Sequence, residues 1–205
     1  MKALVTGGQS KFGEALVQAL SNKNNHVYVI PRWLLTHDHC ATGPSTGMLN
    51  SYLSSTDKDE WDLMNTDKPR RPLGDDSYRT FDLVFFNHHY MPEEFDARSY
   101  YFNCVLCLDI LKSIKLTKDC KIAWMVSSGI GAKDHPEYAP YFAFKSVNVH
   151  IMRYLAHKNS ETYFGIDPGH LIEGHYETPA KQVVALLDKV ESGNVYTLNG
   201  SVSGL

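Results

Sequence analysis

Apolar residues along the chain form short runs that alternate with stretches of helical periodicity. The runs at Lys2–Thr6, His26–Ile30, 81–87, 121–128, 163–167 and 193–198 predict strands. Apolar positions three and four residues apart predict helices at 12–20, 99–114, 141–157 and 178–191. Strands that are apolar throughout and alternate with helices are typical of a parallel sheet covered on both faces. The predicted fold class is a single α/β domain with three layers, α/β/α, around a doubly wound parallel sheet.

The alternation is interrupted once, in an irregular insert around 33–80. Glycine, proline, serine and aspartate are frequent there, so we expect loops and short helices rather than long elements. With 205 residues, a single domain spanning 1–205 can bury about 70% of its unfolded surface. The core therefore needs neither disulfides nor a structural metal.

Charge and hydropathy exclude several classes of protein. The 20 basic and 23 acidic residues give a net charge of −3, which offers no electrostatic basis for binding nucleic acid or an anionic membrane. No apolar run reaches the roughly 20 residues that cross a bilayer, and the first residues lack the pattern of a secretory signal. We expect a cytoplasmic protein.

The four cysteines are expected to be reduced packing residues in that compartment: Cys40, Cys104, Cys107 and Cys120. The segment 37–40, His-Asp-His-Cys, carries side chains that can bind metals, but no second cluster at ligand spacing accompanies it. We interpret it as a loop and expect no metal.

The segment 6–13, Thr-Gly-Gly-Gln-Ser-Lys-Phe-Gly, joins the first strand to the first helix. Glycines at such a turn let the backbone approach a dinucleotide pyrophosphate placed at the helix N-terminus, as in a Rossmann-type domain. A purely structural turn is the alternative for this motif alone. The residues expected to contact a dinucleotide here are Gly7, Gln9, Ser10, Lys11, Phe12 and Gly13.

A tyrosine and a lysine four residues apart, Tyr141 and Lys145, share one face of a predicted helix. A phenol acts as an acid or base at neutral pH only where a nearby cation lowers its pKa from about 10. Tyr154 and Lys158 form a second pair with the same spacing, and a core tyrosine beside a surface lysine explains either pair equally well. Ser128 favours the first pair, because it ends a predicted strand 13 residues before Tyr141, where open α/β sheets bind ligands.

Taken in order, these residues resemble the short-chain dehydrogenase/reductase family. The resemblance covers most of the chain: the turn 6–13, the strand end 86–89, Asn103, Ser128, Tyr141 with Lys145, and Pro168 with Gly169. It implies that Tyr141 is the catalytic acid/base and that Lys145 holds the nicotinamide ribose and lowers the pKa of the phenol. It also implies that Ser128 orients the substrate carbonyl and that Asn103 anchors a water in a proton relay.

The same resemblance implies a cofactor, NADP(H) or NAD(H). Arg32, just after the second strand, occupies the position where an arginine accommodates a 2′-phosphate, so we expect NADP(H) to be preferred. Lys11 could add a second positive charge. Further expected contacts come from the strand ends, the two catalytic side chains and the Pro-Gly segment: Asp62, Leu63, Asn87, His88, Tyr141, Lys145, Pro168, Gly169 and Leu171.

The predicted function is an NAD(P)-dependent oxidoreductase that interconverts a carbonyl and an alcohol on a small molecule. An alternative is a catalytically inactive nucleotide-binding sensor or scaffold, which Lys11 in the glycine turn and the pair His88–His89 favour. A sugar-nucleotide epimerase of the extended branch would need a larger C-terminal region than 205 residues allow. We also expect a homodimer or homotetramer through helices 99–114 and 141–157, which are apolar on more faces than one sheet contact requires.

Overall fold

The computed structural model describes residues 1–30, 80–89, 97–127, 136–169 and 171–198. They contain six strands, all paired in parallel in the order β2-β1-β3-β4-β5-β6. The strands are β1 Lys2–Thr6, β2 His26–Ile30, β3 Thr80–Phe86, β4 Lys115–Met125, β5 Thr162–Asp167 and β6 Val195–Thr197. The predicted doubly wound parallel sheet is confirmed.

The helices lie where they were predicted between the strands, but the one predicted at 99–114 is divided into two. They are α1 Lys11–Ser21, α2 Ala97–Tyr100, α3 Leu106–Ser113, α4 Ala139–Lys158 and α5 Glu177–Leu186. A π-helical turn at Tyr101–Val105 joins α2 to α3, and a 3₁₀ turn at Pro136–Tyr138 precedes α4. None of the helices described is long and apolar enough to span a membrane.

Both faces of the sheet are covered by apolar side chains, because successive strand residues point to opposite faces. On one face, Ala3 and Val5 of β1 pack with apolar residues of α1 and α5. On the other, Leu4 packs with residues of α3 and α4. The three layers expected from the sequence follow from this division.

Three elements differ most from their predicted bounds. The strand predicted at 121–128 begins at Lys115 and ends at Met125, because the polar stretch before Lys121 pairs with Thr80 and Phe81 across a register shift. The helix predicted at 178–191 ends at Leu186, where the amide of Lys189 closes a turn on the Leu186 carbonyl. The helix predicted at 99–114 is interrupted by the π turn.

Cys104, Cys107 and Cys120 are buried free thiols, as predicted. Burial raises their pKa to about 11, 12 and 12 respectively, so they are inert packing residues. Cys40, the segment 37–40 and the irregular insert lie outside the described residues, apart from Thr80, which begins β3.

The strand order identifies the edge of the sheet at which a ligand site is expected. Strand β1 lies between β2 and β3, so the winding of the chain reverses beside it. In open α/β sheets, ligands bind outside the carboxyl ends of the strands at such a point. The residues found there are Thr6, Asn87, Met125 and Asp167, each at or just after a strand end.

Candidate functional site

The turn after β1 is built around a glycine that no other residue could replace without strain. Gly7 has φ +64°, and a Cβ there would come within 2.9 Å of the His88 backbone. Its carbonyl accepts hydrogen bonds from the Ser10 amide at 3.1 Å and from the Ser10 hydroxyl at 2.9 Å. The turn is therefore closed on itself before the helix begins.

Helix α1 begins directly on this turn. The Ser10 hydroxyl caps it by accepting the Gly13 amide at 3.1 Å. A Cβ on Gly13 would lie 2.2 Å from the Gly7 carbonyl oxygen and 2.8 Å from the Gly8 Cα, so only glycine allows the helix this close to the turn. This backbone cradle at a helix N-terminus fits a dinucleotide pyrophosphate.

Asn87, after β3, ties the turn to the next strand. Its side-chain amide donates to the Gly7 carbonyl at 3.0 Å and to the Ser10 hydroxyl at 3.1 Å. Asn87 is 7% exposed, so these bonds form in a largely dry environment, where they hold geometry more firmly than surface bonds. The sequence placed Asn87 at this site, and the structure brings it there.

The side chains of the turn divide into two groups. Gln9, Ser10 and Lys11 are exposed, whereas Phe12 is buried in the core between α1 and the sheet. The Phe12 side chain therefore packs in the core, and the expected contact of this residue with a dinucleotide stays a prediction. Lys11 Nζ lies 2.6 Å from Glu173 Oε1, and both side chains are largely exposed. Its ammonium therefore pairs with a carboxylate at the surface, and its expected contact with a dinucleotide stays a prediction.

Tyr141 and Lys145 lie one turn apart on α4, near the end of β4. Lys145 is 4% exposed, and its ammonium donates to the Met125 carbonyl at 2.7 Å. Burial lowers its pKa to about 8. The same ammonium lies 5.4 Å from the centre of the Tyr141 ring, over its face. A cation is thus held in a buried position beside the phenol.

The phenol itself is perturbed in the direction opposite to the expected one. Burial, with the Asp167 carboxylate as a second cause, raises the pKa of Tyr141. The Lys145 ammonium donates to the Met125 carbonyl and faces the ring of Tyr141. The imidazole of His89 stands edge-on to the Tyr141 ring at 5.7 Å.

Asn103 lies within the π-helical turn, 5% exposed. Its side-chain amide donates to the Ser99 carbonyl one turn earlier at 2.9 Å. π-helical turns occur frequently at functional sites, because the inserted residue changes which backbone groups are paired. The sequence predicted a regular helix here and gave no sign of the π turn.

The segment after β5 completes the described part of the site. Gly169 has φ +63°, and its amide donates to the Asp167 carboxylate at 3.0 Å. Pro168 and Leu171 are partly buried. Ser128, Arg32, Asp62 and Leu63 lie outside the described residues, so their places relative to this edge stay predictions.

Three residues that the sequence did not single out contribute to the site. The Thr6 hydroxyl accepts the amides of Asn87 at 3.1 Å and His88 at 3.3 Å, joining β1 to β3. Asp167 is a buried carboxylate near Tyr141, and the Met125 carbonyl holds Lys145. Thr6 and Asp167 could have been found in the sequence, because each is a polar residue that ends an apolar strand. The Met125 carbonyl could not, because every residue has a backbone carbonyl.

Comparison with known proteins identifies the fold. No family model matches the chain, and no curated protein matches it in sequence. A short-chain dehydrogenase/reductase from Serratia marcescens superposes with a TM-score of 0.65 at 17% identity, covering 96% of this chain and 94% of that one. A carbonyl reductase from Pseudomonas aeruginosa, solved in complex with NADP, gives 0.66 at 15% identity over 100% and 99%. The chain therefore has the fold of these short-chain dehydrogenases/reductases.

Proposed function

We propose that the chain belongs to the short-chain dehydrogenase/reductase family and reduces a carbonyl to an alcohol with a nicotinamide cofactor. The observation that carries the proposal is the pair Tyr141 and Lys145. They share one face of α4 beside the end of β4, with the lysine buried and fixed on the Met125 carbonyl. The glycine cradle lies at the same edge of the sheet, and one structural neighbour was solved with NADP.

Tyr141 is the proton donor in this proposal. Its raised pKa keeps the phenol protonated at neutral pH, as a general acid requires. When hydride is added to the carbonyl carbon, the phenol gives its proton to the oxygen that becomes the alcohol, and the bond to the phenol oxygen breaks. Lys145, a cation at the ring face, limits the cost of the phenolate that this leaves. Ser128 orients the carbonyl, and Asn103 anchors a water that returns a proton.

The cradle of the turn 6–13, with Asn87, Gly169 and Leu171, would hold the cofactor, which supplies the hydride when bound. The proposed preference for NADP(H) rests on Arg32, because a guanidinium can bind a 2′-phosphate through two hydrogen bonds. Arg32→Ala should then weaken NADPH binding at least about tenfold and leave NADH nearly unchanged. An equal loss for both cofactors would refute this role.

The test begins with titration of NADPH and NADH by fluorescence, followed by a panel of carbonyl substrates with the cofactor that binds more tightly. Tyr141→Phe should keep binding and abolish turnover. Tyr154→Phe is the matched control, because Tyr154 has the same spacing to a lysine but is 62% exposed. Turnover lost in the control and kept in Tyr141→Phe would show that the wrong pair was chosen. Failure of both cofactors to bind below millimolar concentration would refute the proposal.

A second candidate function is nucleotide binding without turnover. It is favoured by the ammonium of Lys145, which donates to a carbonyl rather than to the phenol oxygen. Tight NADPH binding with no oxidation of NADPH across the carbonyl panel would support it.

Assembly as a homodimer or homotetramer through helices 99–114 and 141–157 is a further proposal. A molecular mass of about 23 kDa by light scattering would refute it.

A further inference from the structure

His88 makes contacts that connect three separate elements. Its Nδ1 lies 2.6 Å from the Thr6 hydroxyl at the end of β1. Its Nε2 lies 3.2 Å from the Phe102 carbonyl in the π-helical turn and 3.7 Å from the Cys107 thiol on α3. The imidazole is partly buried, and its ring stands edge-on to the ring of Phe86 at 6.1 Å. The ring therefore lies between the end of β1, the π-helical turn and α3, and its expected contact with a dinucleotide stays a prediction.

The partners determine which ring nitrogen carries the proton. The Phe102 carbonyl can only accept, so Nε2 must carry a hydrogen to donate. The Thr6 hydroxyl already accepts two backbone amides, so its own hydrogen is directed to Nδ1, which accepts. The alternative acceptor for that hydrogen, the Phe85 carbonyl, is more distant at 3.4 Å. The neutral Nε2–H tautomer satisfies both oxygen partners, the Thr6 hydroxyl and the Phe102 carbonyl.

The contact between His88 and Phe102 lies where the helical hydrogen-bond pattern changes. In an α-helix the Leu106 amide would donate to the carbonyl of Phe102, four residues earlier. Here that amide donates to Tyr101, five residues earlier. The imidazole of His88 reaches the Phe102 carbonyl at 3.2 Å. The side chain at position 88 therefore contacts the π turn at the carbonyl from which the Leu106 amide is shifted.

We propose that His88 is a positioning residue that fastens the π-helical turn carrying Asn103 to the end of β1. Asn103 directly follows Phe102, so the bond from His88 sets where its side chain lies relative to Lys145 and the strand ends. The role rests on the proposed function in so far as Asn103 and Lys145 serve the reaction.

Two titratable groups near His88, Lys145 and His89, both lower the pKa of its imidazole. Desolvation lowers the pKa of the imidazole to about 3, and the nearby Lys145 cation and His89 act the same way, opposed by the hydrogen bond to Phe102. On α3, the Cys107 thiol is neutral because burial raises its pKa to about 12. The ring should therefore stay neutral throughout the stable pH range of the protein.

The test uses two amide variants, each of which keeps one of the two contacts. In His88→Gln the side-chain amide reaches the position of Nε2 and can still donate to Phe102. In His88→Asn the shorter amide reaches only the position of Nδ1, beside Thr6. We expect hydrogen exchange at the Leu106 amide to accelerate at least about tenfold in His88→Asn and to change little in His88→Gln, because one buried hydrogen bond separates them. The kcat of the enzyme should follow the same order.

The imidazole of the unaltered protein gives an independent readout by ¹⁵N NMR. The expected spectrum is that of the Nε2–H tautomer, unchanged between pH 5 and pH 8. An Nδ1–H tautomer, a ring that titrates near pH 6.5, or equal exchange rates in the two variants would overturn the proposal. If the unaltered protein binds no NADPH, the proposed function fails by itself, while tautomer and exchange still decide the role of His88. Should a variant fail to fold, the NMR measurement alone decides.

Discussion

Replacing Lys145 with methionine should stabilise the fold relative to the unaltered protein in a way that depends on pH. Lys145 is 4% exposed, and its ammonium donates a hydrogen bond to the Met125 carbonyl. Burial lowers its pKa from 10.5 to about 8. At about 1.36 kcal/mol for each pH unit, the ammonium costs the folded state about 3 kcal/mol at neutral pH.

The sign follows from proton binding. Between pH 8 and pH 10.5 the unfolded chain keeps the proton on this lysine while the folded protein has lost it, so the free energy of unfolding rises with pH. Below pH 8 both states are protonated and the full cost applies. Lys145→Met has no such group, so its stability relative to the unaltered protein should fall by about 3 kcal/mol from pH 7 to pH 10.5.

Methionine also removes the donor to the Met125 carbonyl, which costs about 1–3 kcal/mol. At pH 7 the variant should therefore range from equally stable to about 2 kcal/mol more stable. Activity should be lost, as is common where a destabilising group serves function. The change of this stability difference with pH is the better test, because the cost of leaving the Met125 carbonyl without its donor does not vary with pH in the variant.

The assay is urea unfolding at pH 7, 8, 9 and 10 for the unaltered protein, Lys145→Met and Lys158→Met. Lys158 is the matched control, since it is exposed on the same helix, four residues after a tyrosine. Its substitution should change stability by less than about 0.5 kcal/mol at every pH. A stability difference for Lys145→Met that is the same at pH 7 and pH 10 would refute the reasoning.

The remaining predictions concern the glycine turn and its ion pair. Gly13→Ala should lower the free energy of unfolding by more than about 2 kcal/mol, because the clash with the Gly7 carbonyl outweighs the gain in helix propensity. Gly174→Ala, with φ +80° but open space, should cost only about 1 kcal/mol; urea unfolding compares them, and equal losses would contradict the clash. Glu173→Gln should free Lys11 and tighten NADPH binding about 2- to 5-fold at low salt, but not at 1 M salt. Fluorescence titration checks this, and an unchanged affinity at low salt would contradict it.

The sequence alone determined the sheet and most of its elements. Lys2–Thr6 and His26–Ile30 were predicted with the bounds that the structure shows, because each is an apolar run bounded by residues that favour turns. Parallel pairing also followed from the sequence, since strands buried on both faces carry no polar alternation. These features depend on residues close together in the chain, where hydrophobic periodicity is informative.

The candidate site could be predicted only in part. Tyr141–Lys145 and Tyr154–Lys158 have the same spacing, and a serine placed before the first pair favoured it. The tertiary structure distinguishes the two pairs by burial. Lys145 of the first pair is 4% exposed, whereas Tyr154 of the second pair is 62% exposed. Burial depends on which helix face meets the sheet, and no local pattern of residues reports it.

Contacts between distant residues were decided by the tertiary structure alone. His88 contacts Thr6, 82 residues away, and Phe102, 14 residues away. In the π turn the Leu106 amide donates to Tyr101 rather than to Phe102, and the imidazole that contacts the Phe102 carbonyl comes from the end of another strand. The raised pKa of Tyr141 has the same origin, because burial and the Asp167 carboxylate act on it across elements. A sequence specifies which groups are available, but hydrogen bonds and desolvation depend on distances that only the folded chain sets.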